Sequence, residues 1–181
     1  MKKGLLVIAM VLLALNSYSQ TSGKYTSDGL FRILMGNYVE AIVDFNKAIN
    51  MDNNPIAYMG RGEAKYKLGD YRGAIQDLNQ AITRLNSSTK YIGDRSFFLS
   101  AYKYRGLSKY GLKNYKGAID DLNKALEYIQ ESSDMEVYPI YSTRGLSKFA
   151  LGFKNEACLD WSKSGELGNI GAYDLIRRYC N

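Results

Sequence analysis

The sequence predicts an all-α solenoid of four helix–turn–helix units closed by a further C-terminal helix. Three observations carry that prediction. First, residues 61–82, RGEAKYKLGDYRGAIQDLNQAI, return at 105–126 as RGLSKYGLKNYKGAIDDLNKAL and at 144–165 as RGLSKFALGFKNEACLDWSKSG, with a fainter copy, DGLFRILMGNYVEAIVDFNKAI, at 28–49. Second, each copy has apolar residues at helical spacing on both sides of a turn such as Gly36-Asn37-Tyr38 or Gly69-Asp70-Tyr71. Third, Gly168-Asn169-Ile170-Gly171 interrupts the pattern after the fourth copy, and Ala172 to Tyr179 resumes it.

The first element is not part of the array. Lys2 and Lys3, the apolar run Gly4–Leu15, and the small residues Ser17 and Ser19 form a leader, residues 1–19, expected to be cut before Gln20. The run is shorter than the roughly twenty apolar residues of a membrane span. With no cysteine at the cut, a lipoprotein is not expected. Cleavage would leave a periplasmic or secreted protein with no membrane insertion. It would also lower the formal net charge from +6 to +4, two lysines fewer. That modest excess has no long basic block, so nucleic acid is not an expected partner.

Within each unit the internal glycine serves as position 8, aligning Gly29, Gly62, Gly106 and Gly145. Position 20 is then Ala41, Ala74, Ala118 and Ala157, and position 27 is Ala48, Ala81, Ala125 and Ser164. Position 24 is large and apolar: Phe45, Leu78, Leu122 and Trp161. A glycine inside a helix costs about 1 kcal/mol relative to alanine. Four in register therefore need a packing reason, and close approach of the unit's two helices, with position 8 against positions 20 to 23, supplies one.

With these positions in place, the units resemble tetratricopeptide repeats, which carry a small residue at position 8, a tyrosine near 17 and alanines at 20 and 27 in a helix–turn–helix of about 34 residues. The resemblance covers about residues 22–168 and implies a right-handed solenoid. The repeats are placed at 22–54, 55–85, 96–130 and 138–168, with inserted loops at 86–95 and 131–137 and a capping helix at 171–180. Three features depart from the family pattern. Lys113 replaces the turn glycine of unit three, a loss that Gly111 is expected to offset. Lys154 replaces the position-17 tyrosine of unit four, and the proline near position 32 is missing.

Arg61, Arg105 and Arg144 occupy position 7, while Asp44, Asp77, Asp121 and Asp160 occupy position 23. Continuing the count gives Arg178 the equivalent of position 7 in the capping helix. Position 23 lies opposite position 7 of its own unit and also of the next. Pairing within units leaves Asp44 and Arg178 unmatched, because position 7 of unit one is Asp28. Pairing with the next unit uses all eight residues, so the expected bridges are Asp44–Arg61, Asp77–Arg105, Asp121–Arg144 and Asp160–Arg178. The two cysteines, Cys158 and Cys180, are equidistant from Asn169, the centre of the last turn. On antiparallel helices they are expected to meet, and in an exported chain to form a disulfide that clamps the capping helix.

The resemblance also implies a concave face lined by positions 2, 5, 9 and 12 of the first helix of each unit, where relatives commonly hold extended peptides. Here that stripe includes Thr26, Leu30 and Ile33; Met59, Glu63 and Tyr66; Lys103, Leu107 and Tyr110; and Ser142, Leu146 and Phe149. The last nine are the expected groove for a protein or peptide partner. A glycan or small ligand on the same aromatics, and simple packing of Tyr66, Tyr110 and Phe149 on one another, are the alternatives. The lysine–asparagine set with which some relatives clamp a C-terminal carboxylate is absent. No catalytic role is expected. The chain has no histidine, and its pattern contains no paired carboxylates, phosphate-binding loop or metal-ligand cluster, so no cofactor is expected either.

Overall fold

The structure, a computed structural model, describes Met10 and residues 21–88, 95–129 and 134–180, with 134–136 as backbone only. The expected leader and its cut before Gln20 lie outside the described residues, as do 89–94 and 130–133 at the heart of the two inserted loops. What is described is helical, with no strand: α1 (21–34), α2 (Tyr38–Asp52), α3 (Pro55–Lys67), α4 (Tyr71–Ser87), α5 (Arg95–Gly111), α6 (Tyr115–Glu127), α7 (Asp134–Ala150), α8 (Lys154–Glu166) and α9 (Ile170–Tyr179). Successive pairs form the four units, and α9 closes the array. Both insertions are shorter than expected. Asn86 and Ser87 complete α4, Arg95 opens α5, and 134–137 belong to α7. The buried side chains of Leu85 and Val137 draw those helix ends onto the core.

The turn inside each unit is built the same way four times. The position-16 amide donates back to the position-11 carbonyl: Asn37 to Arg32, Asp70 to Lys65, Asn114 to Lys109 and Phe153 to Lys148, at 2.9–3.0 Å. This closure needs a left-handed residue at position 15. Gly36, Gly69 and Gly152 supply φ of 77, 83 and 88°, and Lys113 adopts φ 61° itself. Gly111 therefore does not stand in for the missing glycine. It is helical, and its Cα lies so close to the Tyr71 ring that an added Cβ would fall 2.7 Å from Cε2.

Packing explains the position-8 glycines, with one change from expectation. A Cβ on Gly62 would stand 2.7 Å from Leu78 Cγ and 3.3 Å from Ala74 O, and one on Gly106 would stand 2.8 Å from Leu122 Cγ. The glycine thus admits the large position-24 side chain across the position-20 carbonyl, rather than simply facing positions 20 to 23. Phe45, Leu78, Leu122 and Trp161 are fully buried as a result, a burial that stabilises by roughly 1.5–3 kcal/mol per side chain.

Helices α3, α5 and α7 touch one another as well as their own partners, whereas α4, α6 and α8 approach one another less. The first helices of the units therefore make the inner layer. Position 10 mediates stacking on the preceding unit, and Ala64, Ser108 and Ser147 are fully buried there. In unit one the same position is Phe31, 62% exposed, and it forms an apolar end face with Leu34 and Met35. No helix among the described residues is long and apolar enough to cross a membrane.

Candidate functional site: the inner stripe and the polar spine

The inner stripe is less open than its sequence suggests. Met59, Lys103 and Leu107 are buried, and Glu63, Tyr66, Tyr110, Ser142, Leu146 and Phe149 are half-buried. Met59 and Leu107 share a core cluster with Tyr104, and Tyr66 packs against it. The Tyr104 hydroxyl donates to Glu63, which ties unit three to unit two across the stripe. Lys103 Nζ lies 4.8 Å from the centroid of the Tyr104 ring.

Tyr66, Tyr110 and Phe149 do not pack on one another. Tyr66 lies 6.0 Å from Tyr71 and 5.6 Å from Tyr104, Tyr110 lies 5.8 Å from Tyr115, and Phe149 lies 4.6 Å from Tyr179, ring centre to ring centre. Each ring of unit two or three thus leans on the position-17 tyrosine of its own turn. Unit four has Lys154 at that position, and its ring turns to α9 instead. Burial, with the adjacent phenol of Tyr71, raises the Tyr66 pKa, and burial with Tyr115 does the same for Tyr110.

Beside this stripe runs a spine of charge whose pairing differs from that expected. Arg61 donates from Nε and Nη2 to Asp77 at 2.8 and 2.5 Å. Arg105 does the same with Asp121, and Arg144 with Asp160. The bridges are therefore within units, and Asp44–Arg61, Asp77–Arg105, Asp121–Arg144 and Asp160–Arg178 do not form. The reason lies at position 11, one helical turn beyond the arginine. Lys65, Lys109 and Lys148 each reach the same aspartate at 2.7–2.8 Å, and in unit one Arg32 stands there, 2.7 Å from Asp44. Asp44 is thus served without a position-7 arginine, and Asp160 is filled before Arg178 could reach it.

The link between units is carried by a different residue. The remaining guanidinium nitrogen, Nη1, donates to the preceding unit's position-25 asparagine: Arg61 to Asn46 at 2.6 Å, Arg105 to Asn79 and Arg144 to Asn123 at 2.7 Å. Tyr58, Tyr102 and Tyr141, at position 4, lie against the same guanidinium groups at 5.1–5.4 Å. With carboxylate, amide and ring all engaged, these arginines are structural and hold no free anion site. The asparagines could have been found from sequence, because Asn46, Asn79 and Asn123 recur in register.

Two further features complete the surface. The sulfurs of Cys158 and Cys180 are bonded at 2.05 Å, with Cα atoms 5.8 Å apart, joining α8 to the residue after α9. On the outer edge, Ile119, Leu151 and Phe153 line an open cleft of about 450 Å3 with Lys116 and Asp120. The sequence carried a signal for this cleft. Phe153 stands at the helix cap where Asp70 and Asn114 accept from Gly73 N and Gly117 N, and it makes no such bond. Among the described residues no cluster of acidic or sulfur ligands could hold a metal ion.

These features define a helical-repeat array whose units are locked by arginine clips and faced with tyrosine on the inside. Residues 56–84 match the family profile described as tetratricopeptide repeat. That segment is the α3–α4 pair of unit two, and the same helix–turn–helix geometry recurs in all four pairs. No curated protein matches the sequence. Among solved structures, a chain of the APC/C hetero-tetramer Cut9–Hcn1 is similar, with a TM-score of 0.77 at 19% identity over 93% of this chain and 32% of that one. PilF of Pseudomonas aeruginosa gives 0.67 at 20% identity over 90% and 70%. The first repeat domain of Spaghetti (RPAP3), solved with the HSP90 peptide SRMEEVD, gives 0.60 at 22% identity over 74% and 95%. At such identities the likeness is one of fold.

Proposed function

We infer that this chain is an exported, non-catalytic interaction module that receives a peptide or protein segment along the inner stripe. The observation that carries the reading is the alignment of Tyr66 and Tyr110 at equal positions of adjacent inner helices. Both are half-buried, so part of each side chain stays open to solvent while its ring packs against Tyr71 or Tyr115. Rings held in this way contribute contact area without a large ordering cost, as hot-spot residues of interfaces do. Glu63 and Ser142 supply the polar positions beside them.

The test is crosslinking in intact cells with a photoreactive residue at Tyr110, repeated in a Tyr66→Ala, Tyr110→Ala background with the crosslinker moved to Ser142. One discrete adduct that disappears in the double variant supports the reading. No adduct, together with thermal stabilisation of the purified chain by a glycan or metabolite, would favour the small-ligand alternative. Equal adducts in both backgrounds would remove the stripe from the interface.

A further inference from the structure

Each stacking junction among the four units is held by a polar clip, in which one arginine joins its own aspartate to the preceding unit's asparagine. The last junction, between α8 and α9, is built differently. Position 25 of unit four is Ser162, which is exposed. Asp160 is occupied by Arg144 and Lys148, and Arg178 is exposed. The link here is the Cys158–Cys180 bond, which fastens the far end of α9 to the beginning of α8. Among the described residues, α9 also lacks what every other inner helix has, a second helix of its own unit to back it. Ala172 is its one fully buried residue, with Leu175, Ile176 and Tyr179 half-buried around Trp161.

We propose that Cys158–Cys180 is a thiol-gated latch: a dithiol reductant releases α9 alone and uncovers the Trp161 face of α8, while the four units stay folded. In the step itself, a reductant thiolate attacks one sulfur and forms a mixed disulfide. The other cysteine leaves as a thiolate and takes up a proton. The second reductant thiol then closes the reductant's own disulfide and frees the remaining cysteine, so two electrons pass from reductant to protein. Both cysteines are half-buried rather than enclosed, which gives the reductant access. A helix of ten residues does not persist in water once undocked, so release of α9 and its melting are one event. The four units keep their arginine clips, which thiols do not touch.

Hydrogen exchange read by mass spectrometry on the full chain tests this, comparing air-oxidised protein with protein in dithiothreitol. Alkylation is used to count free thiols. Amide protection across Ile170–Tyr179 is expected to fall on the order of a hundredfold on reduction, while α3 to α6 hold theirs. Trp161, the single tryptophan, is expected to become accessible to acrylamide quenching at the same time. A Cys158→Ser, Cys180→Ser variant is expected to behave as reduced protein in either buffer. If it fails to fold, the wild-type comparison decides alone. Unchanged α9 protection with both thiols alkylated overturns the proposal. So does a loss spread equally through α3 to α6, or two free thiols in the air-oxidised chain.

Discussion

Arg105 and Asp121 meet in a two-pronged contact, with Nε at 2.8 Å and Nη2 at 2.6 Å, in which the carboxylate is almost wholly buried and the guanidinium largely so. The pair joins α5 to α6 inside one unit, and the arginine's third nitrogen reaches back to Asn79 of the unit before. A single side chain therefore fixes both the angle within a unit and the register between units.

Arg105→Ala is expected to destabilise the array by about 2–3 kcal/mol. Breaking a buried pair commonly costs roughly 3–5 kcal/mol, but Lys109 still faces Asp121 at 2.7 Å and offsets part of the loss. Arg105→Lys is expected to recover about half, because an ammonium cannot hold two oxygens and an amide in one plane. Urea midpoints of the two variants check both the sign and the order.

The two classes of glycine are expected to respond oppositely to alanine. Gly106→Ala gains about 1 kcal/mol of helix propensity. It also places a methyl 2.8 Å from Leu122 Cγ and 3.3 Å from Ala118 O, and both atoms belong to the packed interior. Overpacking of this kind costs about 1–3 kcal/mol, so the net is a loss. Gly23→Ala, exposed in α1 with nothing within 4 Å of the new atom, is expected to stabilise by up to about 1 kcal/mol. Thermal melts of the two single variants separate them.

Phe153→Asn is expected to raise stability by about 0.5–1 kcal/mol, although it removes an aromatic. The backbone at Phe153 has φ −83° and ψ 66°, close to the −83° and 70° of Asn114, which caps its helix. The new amide oxygen would accept from the amide of Glu156 as Asn114 does from Gly117. Phe153 is about half exposed, so little packing against Ile119 is given up. A lower melting temperature in the variant would show that the ring contributes more than the cap.

Stability is expected to fall as pH rises above about 10. Tyr66, Tyr102 and Tyr110 have pKa values raised above the ordinary 10.0, chiefly by burial. Unfolded phenols lose their protons near pH 10 while the folded ones retain them, so above that point the native state binds more protons. The contribution is fully present below pH 10 and is lost as pH climbs from there through the folded pKa values. Melting temperatures between about pH 8 and about pH 11 should decline, and Tyr66→Phe should flatten part of that decline.

The helices and their turns were legible because their signals are local. A glycine every unit, alanines seven residues apart, and Gly-Asp or Gly-Asn between two apolar stripes leave little freedom in where the chain bends. Charge pairing was not legible, because it depends on reach. A count of position-7 arginines against aspartates leaves out Arg32 and the lysines one turn further on, which reach the same carboxylates. Lys113 is a second case, with φ of 61° in place of a turn glycine. A non-glycine residue with positive φ is uncommon, which favours nearby Gly111 for the turn, yet the repeated backbone closure fixes the left-handed residue at position 15. The inner stripe was found only through family likeness, and periodicity gave no sign that Met59, Lys103 and Leu107 would turn into the core.

The charge pairing within units bears on how such a chain can change length. Every position-23 carboxylate finds its cations in the same helix pair, so each unit is electrically self-contained. Duplicating or deleting one unit would add or remove one arginine-to-asparagine hydrogen bond at a join, and would strand no buried carboxylate. Had each aspartate relied on the following unit, any cut would have left an unpaired carboxylate in the interior. The arrangement makes the unit an exchangeable part, and number can vary while the joint stays the same.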